Sequence, residues 1–182
     1  MHTPDSITIR RAGWIALLTG ATVLGSFIFA CATPFAALAT LAAIHMNRRD
    51  AFMLMGVNWA ANQIVGYTYL NYPQSWDSFA WGAAIGIAAL AATGAAAGVE
   101  SVLRRAGWVV AAIGAFAIAF AAYEGLLYAA TAILPSGSGA FSARVVLYVL
   151  SVNGLAFIAL LALQRAGLAL GFAVPRRGAA AA

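Results

Sequence analysis

Long apolar runs separated by short polar segments dominate the chain. Six runs can be drawn, over about residues 12–31, 34–46, 51–70, 78–98, 107–134 and 144–174. Stretches such as AAIGIAALAATGAAAG lack the apolar–polar alternation of a membrane β-strand. A helix needs about 20 mostly apolar residues to cross a bilayer, where lipid offers the backbone no hydrogen-bond partners. The pattern predicts an all-α polytopic membrane protein, a bundle of six transmembrane helices that forms one integral membrane domain over residues 1–182.

The composition excludes an ordinary soluble domain. Of the 182 residues, 64% are hydrophobic and only 8% are charged, with a mean hydropathy of +0.90. A soluble domain carries about a quarter charged residues, enough to cover a surface that faces water. The net charge of +5 comes from ten Arg residues. Membrane topology accounts for this charge, so we expect the lipid bilayer and no nucleic acid as a partner.

The arginines occur mainly in pairs, and their positions predict the topology. The pairs are Arg10–Arg11, Arg48–Arg49, Arg104–Arg105 and Arg176–Arg177. With six crossings all four pairs fall on one side, and the loops of the opposite side contain no Arg. The positive-inside rule then places the N and C termini in the cytoplasm, in a bacterial-type inner membrane. The second run is short enough for a thin, tilted or re-entrant helix, although a re-entrant helix would break this agreement.

A single acidic residue is predicted to lie near the middle of the membrane. Glu124 stands ten residues before the outer end of the fifth run, which is about 15 Å along a helix axis. An ionisable group at this depth costs about 2.5–3.5 kcal/mol on insertion scales and is a functional candidate. Two alternatives remain open, an interhelical hydrogen bond and a role in binding or proton coupling.

Amide side chains accumulate on two other runs, and Asn62, Gln63 and Asn153 lie at a depth similar to that of Glu124. Asn58, Asn62 and Gln63 lie on the third run and Asn153 on the sixth. Amides often hold transmembrane helices together, for about 0.6–2 kcal/mol each. Several amides at the depth of Glu124 instead indicate a cavity open to the outside. Helix association without a ligand is the alternative.

Aromatic side chains are predicted to surround the outer mouth of this cavity. Tyr72 and Trp76 belong to the loop before the fourth run, and Tyr69 lies at the outer end of the third run on the face of Asn58 and Asn62. Tyr128 lies one turn beyond Glu124. Their alternative role is the aromatic belt of a membrane interface. The predicted substrate-binding residues are therefore Asn58, Asn62, Gln63, Tyr69, Tyr72, Trp76, Glu124, Tyr128 and Asn153.

Motifs for catalysis and for nucleotide binding are missing from the sequence. It contains no P-loop, no HExxH, no Cys pair and no His cluster. We therefore expect neither an enzyme, nor a bound cofactor, nor an ATPase of its own. The lone Cys31 precedes the second run. It is a small buried hydrophobe, a lipoprotein-type cleavage site, or a soft ligand to a metal carried by the substrate.

Small residues recur at four-residue spacing, as in helix–helix contacts within membranes. Examples are Gly82-xxx-Gly86, Gly94-xxx-Gly98 and Ala39-xxx-Ala43. Such spacings serve either packing inside the bundle or docking to another membrane subunit.

The architecture resembles the substrate-binding S component of energy-coupling factor transporters. The resemblance rests on six short helices, cytoplasmic termini, about 180 residues and a polar pocket toward the outer face. It implies capture of a vitamin-like molecule and docking on a transmembrane coupling subunit with ATPases. The docking motif of that family would correspond to Ala39-xxx-Ala43. The cobalamin-type members would make Cys31 a ligand to a corrinoid metal.

Three hypotheses follow from the sequence. The first is an uptake protein that binds a small vitamin-like or cofactor-like molecule, such as a corrinoid, from outside. The second is a non-transport membrane subunit whose polar residues only hold helices together. The third is a proton-coupled carrier that uses Glu124.

Overall fold

The described part of the chain folds into six α-helices. The computed structural model describes residues 4–28, 33–135, 137 and 139–173, with the side chains of residues 4–8 and 26–28 left aside. The helices are α1 (Pro4–Ile28), α2 (Phe35–His45), α3 (Arg48–Thr68), α4 (Trp76–Leu103), α5 (Trp108–Ala130) and α6 (Ala143–Ala169). A short 3₁₀ turn, Arg104–Ala106, extends α4. The predicted all-α class and the six helices are confirmed, and Cys31 lies outside the described residues.

Three of these helices are long and apolar enough to cross a membrane. They are α4 with its 3₁₀ extension (Trp76–Ala106), α5 and α6, judged by length and composition over the described residues. Helix α2 is apolar but shorter. The finding supports a membrane protein with three candidate spans. The other three predicted crossings stay a prediction.

The shortest helix occupies the centre of the bundle. Every residue of α2 from Phe35 to Ala43 is buried, and α2 packs against α3, α4, α5 and α6. Its 11 residues extend over about 16 Å at the α-helical rise, roughly half of a hydrocarbon core about 30 Å thick. Because α2 is buried from Phe35 to Ala43 and packs on four other helices, it is a core helix enclosed by protein.

The five longer helices close a ring around α2. Helix α1 packs on α3, α3 on α4, and α4 on α5. Phe116 of α5 stacks on Phe157 of α6, with ring centroids 5.5 Å apart. The ring closes between α6 and α1, where the Trp14 indole N–H donates to Gln164 Oε1 at 2.9 Å.

Small residues let the inner helices approach closely. The indole of Trp59 lies on Gly86, where an added Cβ would come within 2.8 Å of the ring, and its N–H donates to the Gly82 carbonyl at 2.8 Å. The Gly82-xxx-Gly86 spacing therefore packs α3 on α4. Ala39 and Ala43 lie inside the bundle with 0% and 3% exposure. They form no exposed stripe, which favours packing inside the bundle as the role of this spacing.

Contacts of the arginines bring several helix ends to one end of the bundle. Arg11 of α1 pairs with Asp50 of α3 at 3.6 Å. Arg10 donates to the carbonyl of Ala173, just after α6, at 3.4 Å. Arg165 of α6 lies 5.5 Å from the ring centre of Trp108, where α5 begins. The ends of α3 and α4 that meet around residues 69–75 lie at the opposite end.

Candidate ligand-binding cavity

A cavity of about 370 Å³ opens at the end of the bundle opposite the arginines. It lies where α3 ends and α4 begins, above the first residues of the central helix α2. The lining residues are Thr33, Phe35, Asn62, Gln63, Tyr67, Tyr72, Pro73, Asp77, Ser78, Trp81, Gly82, Ile85 and Tyr123. Four helices and two connecting segments, the one before α2 and the one between α3 and α4, thus contribute to a single recess.

One wall of the cavity carries a chain of amides and hydroxyls. The buried Asn62 donates from Nδ2 to Thr33 Oγ1 at 2.6 Å, and Gln63 Nε2 lies 3.5 Å from Asn62 Oδ1. Beyond them, the hydroxyls of Tyr67 and Ser78 are 3.2 Å apart. These bonds orient the polar groups and leave further donor and acceptor capacity for a ligand.

Aromatic rings cover the polar wall because of the way the α3–α4 connection folds. Asn71 adopts φ 53°, a left-handed conformation that Asn tolerates better than most residues. The chain turns back there, and the Tyr72 N–H bonds the Gly66 carbonyl at 3.0 Å. The Tyr72 ring then rests on Gly66, where a Cβ would collide with it. Tyr72 meets Tyr67 edge to face, with centroids 5.9 Å apart.

Tyr67 is the central ring of this aromatic group. It also stacks on Phe79 of α4, with centroids 4.8 Å apart. One face of the tyrosine thus fixes the distance between α3 and α4, while its hydroxyl lies on the cavity wall. The arrangement can hold a ligand ring by stacking and its polar atoms by hydrogen bonds.

Charge and indole groups from α4 complete the lining. Helix α4 begins at Trp76 after Ser75 as its N-cap residue, so Asp77 lies in the first helical turn. Its carboxylate adds negative charge to the recess. Trp81 is held in place because its indole N–H donates to the Pro135 carbonyl at 2.8 Å.

The structure brings together three of the predicted binding residues. Asn62, Gln63 and Tyr72 all line the cavity. Tyr69, Trp76 and Tyr128 are 76%, 69% and 64% exposed and lie outside its lining. Such exposure suits the alternative interface role of these aromatics. Glu124 is half-buried and also outside the lining, although the adjacent Tyr123 belongs to it.

Asn153 and Asn58 are engaged in helix contacts instead. Asn153 is fully buried, and its Oδ1 accepts from the backbone N–H of Ala37 at 3.1 Å. The Asn153 side chain therefore caps the N-terminus of α2. The residue at the N-cap position, Pro34, makes no side-chain hydrogen bond to the helix. Asn58, also fully buried, accepts from the hydroxyl of Thr22 and joins α3 to α1.

Sequence reasoning missed several residues of the lining. Thr33, Tyr67, Ser78, Trp81 and Tyr123 all contribute to the recess. A signal existed for Tyr67, which lies one helical turn after Gln63 on the same face. The contribution of Tyr123 depends on how α5 is rotated, and neighbouring polar residues do not reveal that angle.

Among the described residues, no three His, Cys, Asp or Glu side chains come together to form a metal-ion site. The chain matches no protein-family model, no curated protein and no solved structure.

Proposed function

We propose that this protein captures a small molecule in the cavity between α3 and α4, as a membrane uptake protein that resembles an S component. The observation that carries the proposal is the 370 Å³ recess with its amide wall and aromatic cover. The chain would cross the inner membrane six times, with α2 as a short second crossing enclosed by the other helices and with cytoplasmic termini. The arginine contacts at one end and the cavity at the other support an orientation in which the cavity opens outward.

The lining favours a ligand smaller than a corrinoid. The volume of about 370 Å³ lies at the low end of the range of roughly 300–1,000 Å³ for small-molecule sites. A corrinoid macrocycle with its side groups would enter only in part. We propose a vitamin-like compound with one or two rings that stacks against Tyr67 and Tyr72. Its donor groups would face Asn62, Gln63 and Asp77.

Energy for uptake would come from a partner. The sequence contains no nucleotide-binding motif, so a transmembrane coupling subunit with ATPases is the proposed source. With Ala39 and Ala43 buried, that partner would contact other surfaces of the bundle.

A specific observation favours a second candidate function, a non-transport membrane subunit. Asn153 and Asn58 engage other helices, as expected if polar groups serve helix association. A third candidate, the proton-coupled carrier, depends on Glu124. Transport that keeps its pH dependence in Glu124→Gln would count against it.

Native mass spectrometry of the protein purified in mild detergent tests the first proposal. We expect wild-type protein to retain a small molecule, and Gln63→Leu and Asp77→Asn to lose most of it. Ser151→Ala is the matched control, because this exposed hydroxyl bonds only within α6. Wild-type protein without a ligand, but with a stably bound partner protein, would instead support the non-transport subunit. Equal retention by wild type and both cavity variants would place the ligand elsewhere.

A further inference from the structure

A second cavity, of about 340 Å³, lies at the arginine end of the bundle between α2, α3 and α4. Most of its lining is apolar and small, and includes Ala43, Ala51, Gly94, Ala97 and Gly98. Arg48 contributes the positive charge, and Thr93 and Ser101 contribute hydroxyls. We call this cavity the inner groove.

The inner groove opens sideways on the surface of α4. Its floor is buried, with Ala43 and Ala51 only 3% and 2% exposed. Its edge is open, because Gly98 is exposed and a Cβ there would meet no described atom within 4 Å. A Cβ at Gly94 would meet only Phe52, at 3.6 Å. In a membrane-embedded bundle this open side faces lipid tails.

Among the described residues no carboxylate pairs with Arg48, so its charge can neutralise an anion at the groove. Its guanidinium carbon lies 5.9 Å from the ring centre of Phe52, which keeps the charge beside the apolar lining. The described carboxylates nearest this end have other arginine partners. Asp50 pairs with Arg11 at 3.6 Å, and Glu100 with Arg104 at 2.7 Å.

We propose that the inner groove binds an anionic phospholipid of the cytoplasmic leaflet. Its phosphate lies at Arg48, and an acyl chain follows the small residues from Gly98 toward Gly94. Basic pockets between transmembrane helices on the cytoplasmic side hold acidic lipid head groups in this way. The inference rests on the membrane orientation proposed above. It does not depend on the ligand of the outer cavity.

Native mass spectrometry with added lipids tests this site. We expect wild-type protein to retain phosphatidylglycerol in preference to phosphatidylcholine at equal concentrations. Gly98→Leu fills the groove at a position open enough for the fold to tolerate it, and should abolish that preference. Arg48→Gln should weaken it about fivefold, the effect of losing one basic side chain at a membrane surface.

Matched variants separate the inner groove from general membrane effects. Arg49→Gln removes a neighbouring exposed charge outside the lining, and Gly154→Leu adds the same bulk on α6, where a Cβ also meets no described atom. Both should retain phosphatidylglycerol like wild type. So should Gln63→Leu, whether or not the outer cavity binds a ligand.

Three kinds of result would overturn the proposal. The first kind is a loss of lipid selectivity or of its dependence on the groove, seen as equal retention of both lipids by wild-type protein or as full retention by Gly98→Leu. The second is displacement of phosphatidylglycerol by millimolar inorganic phosphate, which would make the groove a site for free phosphate. The third is a change of oligomeric mass in Gly98→Leu with unchanged lipid retention, which would make it a protein-docking face.

Discussion

At the scale of single residues, the amides of α3 and α6 divide into two groups with different tasks. Asn62 and Gln63 present polar atoms to the cavity, whereas Asn153 and Asn58 bond neighbouring helices. The helical rise predicted a common depth for Asn62, Gln63 and Asn153, and it assigned Asn58 only to the polar face of the third run. It could not predict this division, because depth along a helix gives no information on which neighbour a side chain faces.

Asn153 should contribute more to the stability of the fold than an ordinary polar residue of α6. Its side chain caps α2 inside the bundle, where water cannot replace it. Asn153→Leu leaves the Ala37 N–H buried without its acceptor, at a cost of about 1–3 kcal/mol. Thermal unfolding in detergent should show a lower midpoint for Asn153→Leu, while Ser151→Ala on the same helix stays close to wild type. An unchanged midpoint in Asn153→Leu would mean that the cap contributes nothing.

The contributions of Trp14 and Gln164 to stability should be coupled, because each side chain is the hydrogen-bond partner of the other between α1 and α6. Gln164 is only 2% exposed and accepts the Trp14 indole N–H at 2.9 Å. Either Trp14→Phe or Gln164→Leu leaves a buried polar group unpaired, for about 1–3 kcal/mol. The double variant should therefore lose less stability than the sum of the two single variants. Additive losses in this double-mutant cycle would show that the bond carries no coupling energy.

At the scale of elements, the apolar runs predicted all six helices, with ends within a few residues for most of them. The largest difference is α1, which begins at Pro4 instead of about residue 12, because a helix continues past the point where its sequence becomes polar. The central position of α2 was not predictable. An all-apolar helix is equally compatible with lipid and with protein neighbours, so composition cannot distinguish a core helix from a thin span.

Packing of α3 on α4 should depend on the lack of a side chain at Gly86. Gly86→Ala would place a methyl group 2.8 Å from the Trp59 indole, and the ring could move only by giving up its bond to the Gly82 carbonyl. Overpacking of this kind costs about 1–3 kcal/mol. Gly98→Ala on the same helix adds the same methyl in open space. In thermal unfolding, Gly86→Ala should lower the midpoint, whereas the midpoint of Gly98→Ala should equal or exceed that of wild type. Equal losses in the two variants would refute the role of Gly86 in packing.

At the scale of the whole molecule, the two cavities lie at opposite ends of the same three helices. The outer cavity reaches Phe35 and the inner groove reaches Ala43, the two ends of the buried segment of α2. Only eight residues of a single helix separate them, about 12 Å at the α-helical rise. The short central helix thus leaves room for a recess at each end, which a full-length central helix would fill.

The proposed orientation predicts which end of the bundle meets the outside of the cell. In a Cys31→Ser background, Gln74→Cys places a thiol on the exposed loop beside the outer cavity, and Ala106→Cys places one at the exposed arginine end. A membrane-impermeant maleimide added to intact cells should label Gln74→Cys at once. It should label Ala106→Cys only after permeabilisation, because the arginine pairs hold that end in the cytoplasm. The reverse pattern would turn the cavity toward the cytoplasm and remove the basis for capture from outside. Labelling of both positions in intact cells would contradict a single fixed topology, since α4 then could not separate the two thiols by a membrane.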